Sequence, residues 1–274
     1  MQMRRYHLLA VSNRLQEVGV KRVRKLGHSM EFEQIKEYVP GDDYRTINWK
    51  ATARKKDLMV NNYTDEKSQQ IYCLLNQGRA MKMPFEGMTL LDYAVNAALV
   101  LSNVALVRQD KAGLITFAEH LNAFLPADKK PGQMSVILET LYRQQTRFLE
   151  ADFEKLYSVI RSRISHRSLL ILFTNFESID SLKREMPSLK LIARYHLLLV
   201  VFFENTELKQ LTQRRTETIE DIYIRTIAEK FAFEKRLMVK ALHNNGILSI
   251  LTTPQNLTID TINKYLELKN KLSI

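Results

Sequence analysis

The sequence predicts an α/β fold: a mainly parallel, doubly wound sheet with helices on both faces, behind a basic N-terminal extension. Three observations carry this reading. Ser168 to Phe173 (SLLILF) and His196 to Phe203 (HLLLVVFF) are continuous apolar runs, the pattern of strands buried on both faces. These and other short apolar runs alternate with segments of helical periodicity, the order that βαβ units require. A chain of 274 residues, 45% of them hydrophobic, is long enough to bury one large core plus a modest appendage.

Residues 1 to 26 form a basic lead-in, with Arg4, Arg5, Lys21, Arg22, Arg24 and Lys25 among alternating apolar positions. Pro40 and Gly41 signal a turn, and Asp42 or Asp43 supplies the oxygen that caps a following helix, expected from Tyr44 to Lys55. On that helix Tyr44, Ile47 and Ala51 share a face. Arg45 and Trp49 stand at i and i+4, where guanidinium can stack on indole, and Lys50 and Arg54 make a basic ridge. The plainer reading is that the apolar residues seat the helix on a core and the charges are solvated. Leu58 to Val60 and Tyr63 read as a strand leading to the first core strand, Gln70 to Leu75.

Thr89 to Val107 is Ala- and Leu-rich with apolar positions all round, which predicts a buried helix. Ala112 to Phe117 is a strand and His120 to Leu125 its edge partner. Pro131 and Gly132 start a helix over Gln133 to Gln144, and Ala151 to Ile164 presents Phe153, Leu156, Tyr157 and Ile160 on one stripe. Ile179 to Arg194 is a helix between the two apolar strands. Glu217 to Asn244 is one long amphipathic helix or two broken near Lys230, ended by Asn245 and Gly246. Ile247 to Leu251 is the last strand and Ile259 to Leu272 the closing helix. There is no internal repeat and no low-complexity tract. The expected domains are 1–66, the extension, and 67–274, the sheet domain.

The net charge is +11, and residues 1–60 hold 13 Lys/Arg against 7 Asp/Glu, so over half of the excess is local. Such a patch suits nucleic acid, an anionic membrane or an acidic protein, and charge alone does not choose. The single cysteine, Cys73, lies in an apolar run; it reads as a core residue in a reducing compartment rather than a nucleophile. No signal peptide is evident, and no apolar run approaches the roughly 20 residues that span a bilayer.

The run Glu31-Phe32, Glu37-Tyr38, Pro40-Gly41-Asp42-Asp43, Arg45, Ile47-Asn48-Trp49, Ala53-Arg54, Leu58 and Glu66 resembles the hallmark of the bacterial domain of unknown function family 58. Leu74 to Met81, Gly113 to Phe117 and Tyr265 to Lys269 extend the resemblance over nearly the whole chain. It implies a von Willebrand factor A-like domain, a protein-interaction or scaffold role, and a MoxR-type AAA+ ATPase as partner. Family members commonly have membrane-spanning helices before this region, so it also implies a cytoplasmic part of a membrane-anchored protein. Arg45, Trp49, Lys50 and Arg54 are then contact candidates, with Asp42 and Asp43 shaping the turn.

Von Willebrand A-like domains hold a metal-ion-dependent adhesion site at the carboxyl edge of the sheet, built on Asp-x-Ser-x-Ser, a Thr and a further Asp. The positions that match are Asn76, Gly78, Ala80, Thr146 and Asn175, so both carboxylates and two hydroxyls have been replaced. Mg²⁺ needs oxygen ligands and draws much of its affinity from anionic ones. A degenerate site that binds no metal and no other cofactor is therefore expected; Glu177 and Asp180 lie nearby, but neither matches the required loop position.

Enzymatic activity is not expected either. There is no phosphate-binding Gly-x-x-x-x-Gly-Lys-Ser/Thr loop and no Gly-x-Ser-x-Gly elbow. His7, His28, His120, His166, His196 and His243 are scattered without metal-ligand spacing. Divalent-metal-dependent ligand binding of the adhesion type is the alternative function. Nucleic-acid binding through the basic extension ranks third, because no aromatics are interleaved and no recognition motif is present.

Overall fold

The computed structural model describes residues 30–55, 57–65, 68–144, 146–204 and 219–271. The basic lead-in, His7, His28, Glu66 and the starts and ends expected at Glu217 and Leu272 lie outside them. The chain divides into two compact units at Ser68/Gln69.

The smaller unit is an antiparallel hairpin of β1 (Met30–Glu37) and β2 (Met59–Asp65) with a short helix α1 (Trp49–Lys55) in its connection. The expected helix over Tyr44 to Lys55 is not continuous. A 3-10 turn covers Tyr44–Thr46, then Ile47 goes extended and bridges to Val60 before α1 begins. The break has a visible cause. Asn48 caps α1 by accepting the Ala51 N–H at 3.0 Å, while its Nδ2 donates to Asn61 Oδ1 at 2.8 Å, which ties the helix start to β2.

The larger unit is a six-stranded sheet of β3 (Gln70–Asn76), β6 (Lys111–Phe117), β7 (Leu121–Asp128), β8 (Leu169–Phe173), β9 (Leu197–Phe203) and β10 (Leu248–Thr252). Its order is β10-β9-β8-β3-β6-β7, parallel throughout except for the antiparallel edge β7. A small hairpin, β4 (Pro84–Phe85) with β5 (Met88–Thr89), follows β3. This is the mainly parallel α/β sheet expected, in the strand order of doubly wound folds.

Alternation along β3 sorts the core into two layers. Ile71, Cys73 and Leu75 face α2 (Leu90–Val107), α3 (Gln133–Tyr142) and α7 (Leu257–Asn270). Tyr72 and Leu74 face α4 (Phe153–Arg163), α5 (Ile179–Tyr195) and α6 (Ile219–Asn244). Three helices on each side explain why the central strands read as unbroken apolar runs. Thr89 opens α2 with a capping box closed by Asp92. This helix alone among the described residues has the length and composition to cross a membrane, with mean hydropathy 1.7, yet its small residues are packed in the core.

Cys73 is fully buried, and burial pushes its thiol up to about 12, in keeping with a core residue. At the opposite end of the strands, buried Asp110 accepts the Gln69 N–H at 3.0 Å, the Tyr265 hydroxyl at 2.6 Å and the Lys269 ammonium at 2.9 Å. These bonds moor α7 and give Tyr265 and Lys269 a structural reason.

Candidate functional site

In a doubly wound sheet, ligands gather off the carboxyl ends of the strands where the winding reverses. Here β3 is followed in the chain by β6 on one side and later by β8 on the other, so the reversal falls between β3 and β8. Asn76 ends β3 and Asn175 follows β8. With Gly78, Ala80, Ala151 and Phe153 they line a crevice of about 80 Å³. Sequence reasoning thus named four residues, Asn76, Gly78, Ala80 and Asn175, that the fold brings to one place.

The amide oxygens of Asn76 and Asn175 are neutral and already engaged. Asn76 Oδ1 accepts the Gly78 N–H at 2.7 Å, and its Nδ2 donates to Thr174 Oγ1 at 2.8 Å. Thr146 sits on the neighbouring loop, where its hydroxyl donates to the Gln77 carbonyl at 2.8 Å and accepts the Phe148 N–H at 3.0 Å. Gln77 extends this into a chain of side-chain amides, donating to Gln144 at 3.0 Å and accepting from Asn122. Gly78 is close-packed. A Cβ there would lie 2.9 Å from Asn76 Oδ1, 3.0 Å from the Ala151 Cβ and 3.1 Å from the Leu149 carbonyl.

The rim carries more charge than the sequence suggested. Glu150, Glu177 and Glu185 all line the crevice. Arg184 holds Glu150 at 2.7 Å and Glu185 at 2.8 Å, and Arg79 stands 3.8 Å from Glu177. Asp180 lies in the first turn of α5, paired with Lys183 at 3.1 Å. Among the described residues, no group of three His, Cys, Asp or Glu side chains is gathered that could hold a metal ion.

Sequence reasoning missed Lys235. From α6 its ammonium donates to Asn175 Oδ1 at 2.8 Å and to the Phe176 carbonyl at 2.6 Å. Burial lowers its pKa from the ordinary lysine value to about 8, against a smaller opposing pull from Glu177. No local motif marks this residue; only the packing of α6 onto the sheet delivers it.

The signature residues fall in the smaller unit. Gly41 takes φ +110°, the left-handed conformation that glycine tolerates after Pro40. Asp42 accepts the Val39 N–H at 3.0 Å and pairs with Lys36 at 2.7 Å, while Asp43 caps the 3-10 turn through the Arg45 N–H at 3.0 Å. Tyr44 and Trp49 are each 70% exposed, so they do not seat a helix on a core. Arg45 lies 5.7 Å from the Tyr44 ring centroid rather than on Trp49, because the break at Ile47 takes Arg45 and Trp49 off a common helix. Lys50 and Arg54 are exposed on α1 beside Trp49.

A family model described as "Protein of unknown function DUF58" matches residues 34–229, well over half of the chain. No curated protein matches it. Solved structures similar in fold include the SpRpn10 VWA domain, at 13% identity and TM-score 0.42, covering 72% of this chain and 95% of that one. A conserved hypothetical protein BatB from Bacteroides thetaiotaomicron matches at 10% identity and TM-score 0.42, over 74% of this chain and 99% of its own. Proximal thread matrix protein 1 from the mussel byssus, with a zinc-occupied MIDAS motif, matches at 11% identity and TM-score 0.38, over 71% and 47%.

Proposed function

The chain belongs to the DUF58 family, and from that premise we propose that it is a non-catalytic protein-interaction module whose metal-ion-dependent adhesion site is degenerate. The single observation that carries this is the donor set at the carboxyl edge. Asn76 and Asn175 stand where two carboxylates would hold the ion, and their oxygens are taken by the Gly78 N–H and the Lys235 ammonium. The residues do not fit a divalent cation: neutral amides offer little attraction, and an ammonium 2.8 Å from Asn175 repels what the site would have to bind.

The partner in this reading is a MoxR-type AAA+ ATPase, which supplies the energy while this domain recruits it or presents a client. The surface offered is the turn and helix of the signature. Tyr44, Arg45, Trp49, Lys50 and Arg54 are all exposed within one short stretch of the chain, and Tyr, Trp and Arg are the residues that dominate protein interfaces. Specific nucleic-acid binding is not part of this reading.

Affinity capture of the ATPase on the immobilised chain tests it. Recovery should be unaffected by EDTA, and should fall at least about tenfold, the equivalent of 1.4 kcal/mol, when Trp49→Ala is combined with Arg45→Ala and Arg54→Ala. Recovery that survives the triple substitution in a folded protein removes this surface from the interface. Recovery abolished by EDTA would instead restore a metal-dependent mode of binding.

A further inference from the structure

On the other side of the 175–177 segment from the crevice, a second cavity of about 270 Å³ opens against α6. Its walls are apolar: Met83, Phe85, Leu90, Phe203, Phe231 and Pro254. One cation reaches into this lining, Lys235. Its ammonium is held by two neutral oxygens, of Asn175 and Phe176, and lies 5.6 Å from the Phe202 ring centroid. Among the described residues no carboxylate comes within 4.0 Å of it.

A buried charge is ordinarily paired, because the low-dielectric surroundings do not replace the water it loses. Among the described residues Lys235 has no carboxylate at ion-pair distance and feels only a smaller, more distant pull from Glu177, while the orienting hydrogen bonds are present. The lowered lysine pKa reports the same deficit. We propose that this cavity receives the chain-terminal apolar residue of a partner protein, its side chain against the apolar walls and its α-carboxylate on the Lys235 ammonium. The proposal rests on the reading that this edge of the sheet recognises a protein without metal, and it names the group recognised.

Size and charge select the occupant. A cavity of roughly 150 Å³ admits benzene, so about 270 Å³ accommodates one aromatic or branched side chain with its carboxylate. An internal Asp or Glu would bring the charge without filling the walls. A phosphate would bring a second negative charge towards Glu177 and Glu204, which also line the cavity. Capture of a terminal carboxylate is an established mode of peptide recognition and gives specificity from a single pocket.

The test uses hexapeptides ending in Phe or Leu, each as free acid and as amide, titrated into the full chain by calorimetry with and without Mg²⁺. The acid should bind at least about tenfold more tightly than the amide. Lys235→Met should erase the difference, and Met83→Trp, which leaves Lys235 in place and fills the mouth, should weaken both. Equal affinity for acid and amide, or no binding of the acid at millimolar concentration, overturns the proposal. Hexanoate binding as tightly as the peptide acid overturns the assignment to a protein terminus. An absolute need for Mg²⁺ would instead sink the metal-free reading on which the proposal rests, so the two failures are distinguishable.

Discussion

A hydroxymethyl group at position 78 has nowhere to go, since even its Cβ would press on Asn76 Oδ1, the Ala151 Cβ and the Leu149 carbonyl. Two of those three neighbours cannot swing aside. Gly78→Ser is therefore expected to destabilise the protein by about 1–3 kcal/mol in urea unfolding rather than to restore a metal ligand. His196 gives a pH prediction. It is buried, its Nδ1 finds no partner, and its pKa is lowered by burial first and by Arg161 and Arg167 second. The folded value lies below the unfolded one, so the unfolded chain takes up the proton more readily. The stability this residue contributes is complete above about pH 6.5 and is lost as the pH falls through the depressed folded value. Urea midpoints at pH 7.5 and 5.5 should show that loss, and His196→Gln should shrink it. At this scale the sequence pointed to Asn76, Gly78, Ala80 and Asn175, which lie at strand ends and in the loops that follow and which the fold gathers around one crevice. It hid Lys235, which reaches Asn175 from 60 positions downstream only because α6 packs as it does.

Among the elements, the central strands were legible because burial on both faces leaves no alternation to interpret, and Thr89, Pro131 and Gly132 punctuate the helices beside them. β1 was not, because it carries Glu and Lys among its apolar residues and resembles a solvated segment; β2 is legible as a strand before the first core strand, but nothing in its sequence marks its pairing with β1 in a hairpin. Asp42 and Asp43 make the signature helix look longer than it is, because both are capping residues placed before Tyr44. Asp43 caps only the 3-10 turn, and Asn48 caps the α-helix and fastens it to Asn61. The closing helix α7 yields a prediction. Its Lys269 pairs at 2.9 Å with Asp110, which is almost wholly buried. Lys269→Met would leave that carboxylate in the core with only the Gln69 N–H and Tyr265 hydroxyl, at a cost on the order of 3 kcal/mol by urea unfolding. Lys271→Met, which removes an exposed pair with Glu267, should cost far less.

For the molecule as a whole, the crevice at the carboxyl edge of the sheet is filled by the chain's own polar groups. The Asn76 amide is held by the Gly78 N–H and the Thr174 hydroxyl, arginines pair with the rim carboxylates, and an ammonium stands on Asn175. The signature residues belong to one unit and the crevice to the other. The account turns on the absence of a working cation site, and metal titration followed by thermal unfolding examines it most directly. A site occupied at a hundred times its dissociation constant would add about 2.7 kcal/mol of stability. The account predicts no change in melting temperature, and no heat of binding, up to millimolar Mg²⁺ or Mn²⁺. A saturable rise in melting temperature that disappears when Asn76 and Asn175 are replaced by Ala would contradict it.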